Sequence, residues 1–143
     1  MNRALNYLGI ARKAGLLEVG EENTGIAVRG GKAKLLLLAS DASDNARSRA
    51  RGFVVGHKTI IVELPFTKTE ISDCVGKNGC SMAALCDIGL ADSMMQVMSA
   101  ADPEKFGETA AEIHRRGEKA KQRKSEAKAH QRNIRSGKRR TRE

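Results

Sequence analysis

Three cysteines are the residues of this sequence with the most direct potential for metal or redox chemistry. Cys74, Cys80 and Cys86 are each separated by five residues, whereas zinc ligands usually occur as closely spaced pairs. The odd number of cysteines also argues against a disulfide framework. We therefore expect no metal site, and we expect Cys74 and Cys86 to pack as small apolar side chains on a helix and a strand.

An enzymatic interpretation would have to use Asp41, Asp44 and His57, or a cysteine together with His57. The sequence contains no nucleophile elbow, phosphate-binding loop or dinucleotide-binding fingerprint. Acidic residues that follow a strand are more often helix caps than catalysts. We therefore predict a protein without catalytic residues and without a cofactor, and a small hydrolase that depends on Asp41 is the enzymatic alternative.

Positive charge is concentrated in the last third of the chain. The net charge of the 143 residues is +9, but residues 1–100 contain 12 basic and 10 acidic residues, whereas residues 101–143 contain 14 and 7. The densest basic cluster lies near the end and includes Lys138, Arg139, Arg140 and Arg142. A basic arm on a nearly neutral domain is typical of proteins that bind the phosphates of nucleic acid. A solubilising extension is the alternative, because acidic residues are interspersed among the basic ones.

The composition also disfavours several classes of protein. Aromatic residues make up 3% of the chain and tryptophan is absent, which argues against domains that stack bases on an aromatic platform. No apolar run approaches the ~20 residues of a membrane span. Arg3, Arg12 and Lys13 interrupt any secretory signal. We therefore expect a cytoplasmic protein that has no membrane partner and is a monomer when free.

Helix and strand patterns alternate along the first 100 residues. The continuous apolar run at residues 35–39 is bounded by turn signals, and it predicts a strand that is buried on both faces. Thr67 and Glu70 have the spacing of a helix capping box. The other predicted strands are residues 16–19, 58–63 and 81–86. Five helices around four strands predict an α/β fold, a three-layer α-β-α sandwich formed by residues 1–100.

Asp102 and Pro103 mark the predicted boundary of this domain, because proline favours the first position of a helix. Residues 104–130 are rich in alanine and charged residues, and Phe106 and Ile113 are nearly their only large apolar side chains. A helix with no face to bury is marginal in isolation. We therefore expect residues 101–143 to form a basic, partly helical tail, without regular structure after about Ser125.

Two segments of the predicted domain resemble the ribosomal protein L7Ae/L30e/S12e/Gadd45 family. They are LGIARKAG at residues 8–15 and GKAKLLLLASDAS at residues 31–43. Weaker matches are Gly20 with the polar triplet after it, the helix end at residues 71–76 and the strand at residues 82–87. The resemblance is closest to small bacterial L7Ae-like proteins that are similar to kink-turn RNA binders. It covers residues 1 to about 100 and implies an α-β-α sandwich.

The resemblance implies a non-enzymatic protein that binds structured, kink-turn-like RNA, with ribosomal RNA or the ribosome as the expected partner. The start of the second helix would face the phosphates of the bend, its first turn would contact sheared G·A pairs, and the loop before the fourth strand would hold a flipped-out base. The tail residues Lys138, Arg139, Arg140 and Arg142 would add contacts to phosphates. The implied RNA-binding residues of the domain are Gly20, Glu22, Asn23, Lys32, Lys34, Asp41, Gly76, Lys77, Asn78 and Gly79.

The second helix differs from the family pattern at two places. In the RNA binders the glycine is followed by a small residue, asparagine and glutamate, whereas Gly20 is followed by Glu21, Glu22 and Asn23. A lysine one turn later is replaced by Ile26. The alternative function is a protein-interaction module of the Gadd45 type, in which the acidic edge at Glu21 and Glu22 meets a basic partner without specific RNA binding.

Overall fold

The computed structural model of the chain describes residues 2–78 and 80–140, and it describes no side chains for Asn2 or residues 132–140. Helices and strands alternate as the sequence predicts, and the α/β sandwich is confirmed. The elements are α1 (Asn2–Lys13), β1 (Leu17–Val19), α2 (Glu21–Arg29), β2 (Leu35–Leu38), α3 (Asp44–Val54), β3 (Ile60–Glu63), α4 (Lys68–Val75), β4 (Met82–Leu85), α5 (Ile88–Ala101) and α6 (Pro103–Arg140).

The centre of the fold is a pair of strands, β2 and β4, that are buried along their whole length. The strand order is β1-β4-β2-β3, with β4 antiparallel to both β1 and β2, and β3 parallel to β2. Leucines of β2 lie opposite smaller residues of β4, as in the pairs of Leu36 with Ala84 and Leu37 with Ala83. The strand buried on both faces that the apolar run at residues 35–39 predicts is therefore confirmed as β2. Such burial requires helices on both faces of the sheet.

The helices form two layers, one on each side of the sheet. α2 and α3 pack together in one layer, and α1, α4 and α5 pack together in the other. Met94, Met95 and Met98 of α5 are completely buried, so flexible aliphatic side chains fill a core that has few aromatic rings. The predicted capping box at the start of α4 is present, with Thr67 and Glu70 exchanging hydrogen bonds.

The last helix corrects the expectation of an arm with no face to bury. α6 packs against α5, and Phe106, Ala110 and Ile113 are at most 3% exposed. These residues recur every three or four positions and therefore form one stripe, which Gly117 continues. The stripe was missed because half of it consists of small residues. The described backbone is also helical as far as Arg140, so the expectation of no regular structure after about Ser125 was wrong for this part.

A side-chain hydrogen bond adds to the contact between the last two helices, because His114 Nδ1 lies 3.1 Å from a carboxylate oxygen of Asp92. Asp102 is the residue between α5 and α6, and its side chain accepts a hydrogen bond from the backbone N–H of Lys105. The division of the chain after residue 100 stays a prediction. That position falls within α5, one residue before the helix ends at Ala101.

We predict that a chain ending after Ala101 is less stable than the full chain by several kcal/mol, because it loses the buried side chains of Phe106 and Ile113. Each large apolar side chain contributes about 1.5–3 kcal/mol when buried. Urea denaturation of the full chain and of two truncations would measure this. A chain ending after Ser125 keeps the apolar stripe, and we expect it to match the full chain. Equal stability of the two truncations would contradict a packing role for α6.

Candidate nucleic-acid interface

The carboxyl ends of three strands and the amino end of the fourth meet at one edge of the sheet. β1 and β2 both run antiparallel to β4, and β3 runs parallel to β2. The helices that follow β1, β2 and β3 therefore all begin at this edge, and the loop before β4 ends there. We call it the helix-start edge, comprising the first turns of α2, α3 and α4 together with residues 76–78.

Gly20 and Lys77 lie against each other at the helix-start edge. Gly20 has φ 97° and ψ 161°, a conformation that is essentially restricted to glycine. A Cβ atom on Gly20 would lie 3.0 Å from Lys77 Nζ, and Nζ donates a hydrogen bond to the carbonyl of Val19 at 3.2 Å. The structure thus brings together the first turn of α2 and the loop before β4. Both segments contain predicted RNA-binding residues.

The start of α2 has no side-chain cap. Its N-cap is Gly20, which has no side chain, and the amide of Asn23 donates back to the carbonyl of Val19 at 3.1 Å. The first N–H groups of a helix lack partners within the helix and favour an anion together with the helix dipole. In α3, α4, α5 and α6 one of these groups donates to a capping side chain, namely that of Ser43, Thr67, Asp87 and Asp102.

The two glutamates of the first turn have different surroundings. Glu21 Oε1 lies 2.7 Å from an Nη atom of Arg49 on α3, whereas Glu22 is exposed and has no ion pair among the described side chains. Because Arg49 balances the charge of Glu21, the carboxylates near this turn without an ion pair among the described side chains are those of Glu22 and of Asp73, which lines the adjoining cleft. The repulsion of a phosphate by this edge is therefore weaker than the sequence alone indicates.

A polar cleft of about 610 Å³ opens beside the first turn of α2. It lies between the starts of α3 and α4 and the loop before β4, and six of its lining residues are Asn45, Arg49, Lys68, Ser72, Asn78 and Ser81. Among these six, only Asn78 belongs to the predicted RNA-binding residues. The other five carry no local motif and become neighbours only through the order of the strands in the folded sheet.

Asp41 and Gly76 have structural roles at this edge. Asp41 Oδ1 accepts a hydrogen bond from the backbone N–H of Lys68 at 2.8 Å, so its carboxylate holds the start of α4. Gly76 ends α4 in a left-handed conformation with φ 73°. Asp41 lies after β2 beside the start of α4, whereas His57 precedes β3, so the structure separates the aspartate and the histidine of the hydrolase alternative.

The structure does not bring Lys32 and Lys34 together with the other predicted contact residues. Both follow the carboxyl end of α2, and this nine-residue helix is about 13 Å long. Gly79 and Arg142 lie outside the described residues. The last residues of α6 include Lys138, Arg139 and Arg140, but the structure does not describe their side chains.

Lys34 instead lines a second groove, of about 620 Å³, at the opposite end of α2. We call it the basic groove. Its walls are the end of α2, the loop between α3 and β3 and the middle of α6. The charged residues that line it are Lys34, Lys58, Glu112, Arg115, Arg116, Lys119 and Arg123. The groove therefore contains six cationic side chains and one carboxylate, and it has a strong positive potential. The sequence alone did not predict that these residues meet.

Glu112 organises the arginines of the basic groove. It accepts two hydrogen bonds from Arg115, at 2.6 and 3.0 Å, and one from Arg116 at 2.9 Å. These hydrogen bonds lower the pKa of Glu112 from its usual 4.5 to about 2. Arg116 also donates to the backbone carbonyl of Lys58 at 2.8 Å, which links α6 to the loop before β3.

The cysteines are not grouped. Cys80 is buried, Cys86 is partly buried and Cys74 is exposed on α4, so the expectation that Cys74 packs in the core was wrong. Burial raises the pKa of the Cys80 and Cys86 thiols. Across residues 2–78 and 80–140, no three His, Cys, Asp or Glu side chains form a group that could hold a metal ion. Within the same residues, no helix has the length and apolar character needed to cross a bilayer.

Comparisons with known proteins agree with this architecture. A solved structure of a protein of unknown function from Bacillus halodurans superimposes with a TM-score of 0.61 at 22% identity, covering 67% of this chain and 96% of that one. No protein-family model matches the chain. With helices on both faces of a four-stranded mixed sheet, the chain is an α-β-α sandwich protein. A curated relative, the RNA-binding protein YlxQ of Enterococcus faecium, is 36% identical over 75 residues, or 52% of this chain and 72% of YlxQ. The chain belongs to the family of YlxQ.

We predict that Gly20→Asn costs about 1–3 kcal/mol of folding free energy, because an L residue is strained at this conformation and its Cβ atom displaces Lys77. Gly76→Asn is the matched control. Its left-handed conformation is one that asparagine adopts, so we expect a cost below about 1 kcal/mol. Chemical denaturation of both variants would measure the difference, and equal costs would contradict the special geometry of Gly20.

We predict that Glu112 stabilises the folded chain above pH 4.5 and loses this effect as the pH falls towards 2. Its folded-state pKa lies below the usual value, so the contribution is present when the unfolded chain is also ionised. Thermal melting of wild type and Glu112→Gln from pH 7 to pH 2 should show a difference that shrinks over this interval. Glu108→Gln, also on α6, is the control. A difference for Glu112→Gln that does not change with pH would contradict the assignment.

Proposed function

We propose that this protein is a non-enzymatic RNA-binding protein that recognises a kink-turn-like bend in a structured RNA at the helix-start edge. The observation that carries the proposal is the uncapped start of α2 with Lys77 placed against it. The relation to a protein named for RNA binding supports it. The proposal includes ribosomal or translation-associated RNA as the partner of a monomeric, cytoplasmic protein.

The phosphates of the bend would lie at the start of α2. The N–H groups of Glu21 and Glu22 and the helix dipole favour an anion there, and Lys77 Nζ adds a positive charge beside Gly20. Lys77 is held in place by the carbonyl of Val19, so this charge is positioned before RNA binds. A sharply bent backbone brings phosphates close together, which makes a fixed cation at the bend favourable.

The bases of the bend would meet the side chains around this point. Glu22 is exposed and accepts hydrogen bonds only, so it fits the N–H groups of a guanine edge. Asn23 can both donate and accept, and its amide is oriented by Val19. The polar cleft beside α2 offers Asn78 to a flipped-out base. Asp41 would act indirectly by holding α4, because its carboxylate is already engaged by Lys68.

The basic end of the chain would add affinity without sequence preference. Beyond Glu126, every formally charged residue up to Arg142 is basic, and this stretch includes Lys138, Arg139 and Arg140. Contacts of this kind release counterions from the RNA, so they weaken steeply with added salt. The helix-start edge would then supply the discrimination between RNAs, and the end of the chain would supply general attraction.

A binding titration of the full chain with two RNAs tests the proposal. One is a kink-turn RNA, and the other has its sheared G·A pairs replaced by Watson–Crick pairs. We expect wild type to prefer the kink-turn and Asn23→Ala/Lys77→Ala to lose at least about ten-fold of this preference, in line with 1–3 kcal/mol for specific contacts. Asn6→Ala/Lys13→Ala removes the same residue types from exposed positions on α1 and should keep it.

Equal binding of both RNAs by wild type would contradict the proposed recognition of a kink-turn. Binding of neither RNA would favour the Gadd45-type alternative, a module that meets a basic protein partner through Glu21 and Glu22. The structure gives this alternative less support than the sequence did, because Arg49 already engages Glu21. An activity screen with no turnover in wild type, or with turnover that survives Asp41→Asn, would remove the hydrolase alternative.

A further inference from the structure

The basic groove has no role in the recognition of the bend proposed above. It lies at the other end of α2 from the helix-start edge. We propose that it binds the phosphate backbone of an A-form RNA stem that flanks the bend. This second site rests on the proposed function, and it adds a separate contact surface formed jointly by the domain and α6.

The charge balance of the groove favours an anionic occupant. Its one carboxylate, Glu112, is already shared by Arg115 and Arg116. The four other cationic side chains that line it have no ion pair among the described side chains, and they are Lys34, Lys58, Lys119 and Arg123. Like charges held together in one concave surface repel each other and focus a field that attracts anions. Phosphates at this place would relieve that repulsion.

The walls of the groove are held in position by hydrogen bonds. Arg116 joins α6 to the loop before β3 through the carbonyl of Lys58 at 2.8 Å. On the other wall, the buried hydroxyl of Thr59 donates to the carbonyl of Ala33 at 2.8 Å, which fixes this loop against the segment that leads to Lys34. The cationic side chains therefore extend from backbone that is already placed, and binding does not have to assemble the groove.

The lining favours a backbone over unpaired bases. No phenylalanine, tyrosine or tryptophan of the described residues lines the groove, and His57 is the one aromatic ring among the lining residues. The groove therefore lacks the series of large aromatic faces on which successive bases of single-stranded RNA stack. Double-stranded RNA is recognised mainly through its shape and its phosphates. Arg115, Lys119 and Arg123 recur every four residues on α6 and form a stripe of about 12 Å. Such a stripe suits a line of successive phosphates.

One RNA can reach both sites. The two ends of α2 are about 13 Å apart, which is short compared with the about 16 base pairs of duplex RNA that a single binding module can span. A stem that leaves the bend at the helix-start edge can therefore pass the basic groove. The residues that follow Arg123 are increasingly basic, which agrees with a phosphate backbone at this place.

Binding of the full chain to two kink-turn RNAs tests the inference, one with short stems and one with a stem extended by about one helical turn. We expect the extension to raise the affinity of wild type about ten-fold or more. Lys119→Ala/Arg123→Ala should lose this gain, and its slope of log affinity against log salt should fall by about two. Lys105→Ala/Lys121→Ala makes the same charge change at exposed positions of α6 outside the groove, and it should keep the gain.

Three outcomes would overturn the inference: an extension that adds no affinity, a gain that survives Lys119→Ala/Arg123→Ala, or an equal loss in both double variants, which would indicate general charge. Competition by polyglutamate as effective as that by a stem duplex would also overturn it, and would assign the groove to an acidic protein. The preference for the kink-turn over its Watson–Crick variant reports on the helix-start edge alone. Its absence in wild type would refute kink-turn recognition at that edge. A variant that keeps the preference but loses the gain from the longer stem has lost only the contribution of the groove.

Discussion

The antiparallel pairing of β2 with β4 is the interaction on which the rest of the structure depends. Both strands are buried on both faces, so they are stable only when helices cover the sheet from each side. The small side chains of Ala83 and Ala84, opposite Leu37 and Leu36, let these helices approach closely. The direction of β4 also brings the loop before it to the edge where α2 begins, and this places Lys77 beside Gly20.

α6 shows how one helix can serve both the core and a charged surface. Its first turns bury Phe106, Ala110 and Ile113, which anchors the helix to α5. The following turns then present Arg115, Lys119 and Arg123 at a fixed position beside the domain. Glu112 lies between these two parts of α6 and orients Arg115 and Arg116. Its pKa is lowered, so it remains charged over the physiological range. The positive charge of the C-terminal third is thus partly a structured surface.

The candidate interface could be predicted from the sequence only in part. Gly20, Asn23, Lys77 and Asn78 were named through the family resemblance, and the structure gathers them at one edge. The resemblance also grouped Lys32 and Lys34 with them, but the length of α2 separates the two sets. The first turns of α3 and α4 were not named, because the polar residues there carry no motif and become neighbours only through the order of the strands.

The sequence by itself determined the order and type of the elements, because apolar periodicity, turn glycines and caps such as Thr67 with Glu70 act within a few residues of each other. It also determined the aliphatic core and the excess of positive charge. The tertiary structure decided what depends on contacts between distant segments. It buried the Phe106 stripe against α5, left Cys74 exposed, paired Glu21 with Arg49 and assembled the basic groove from three separate parts of the chain. A local pattern does not by itself show these outcomes, since each depends on where the fold places another element.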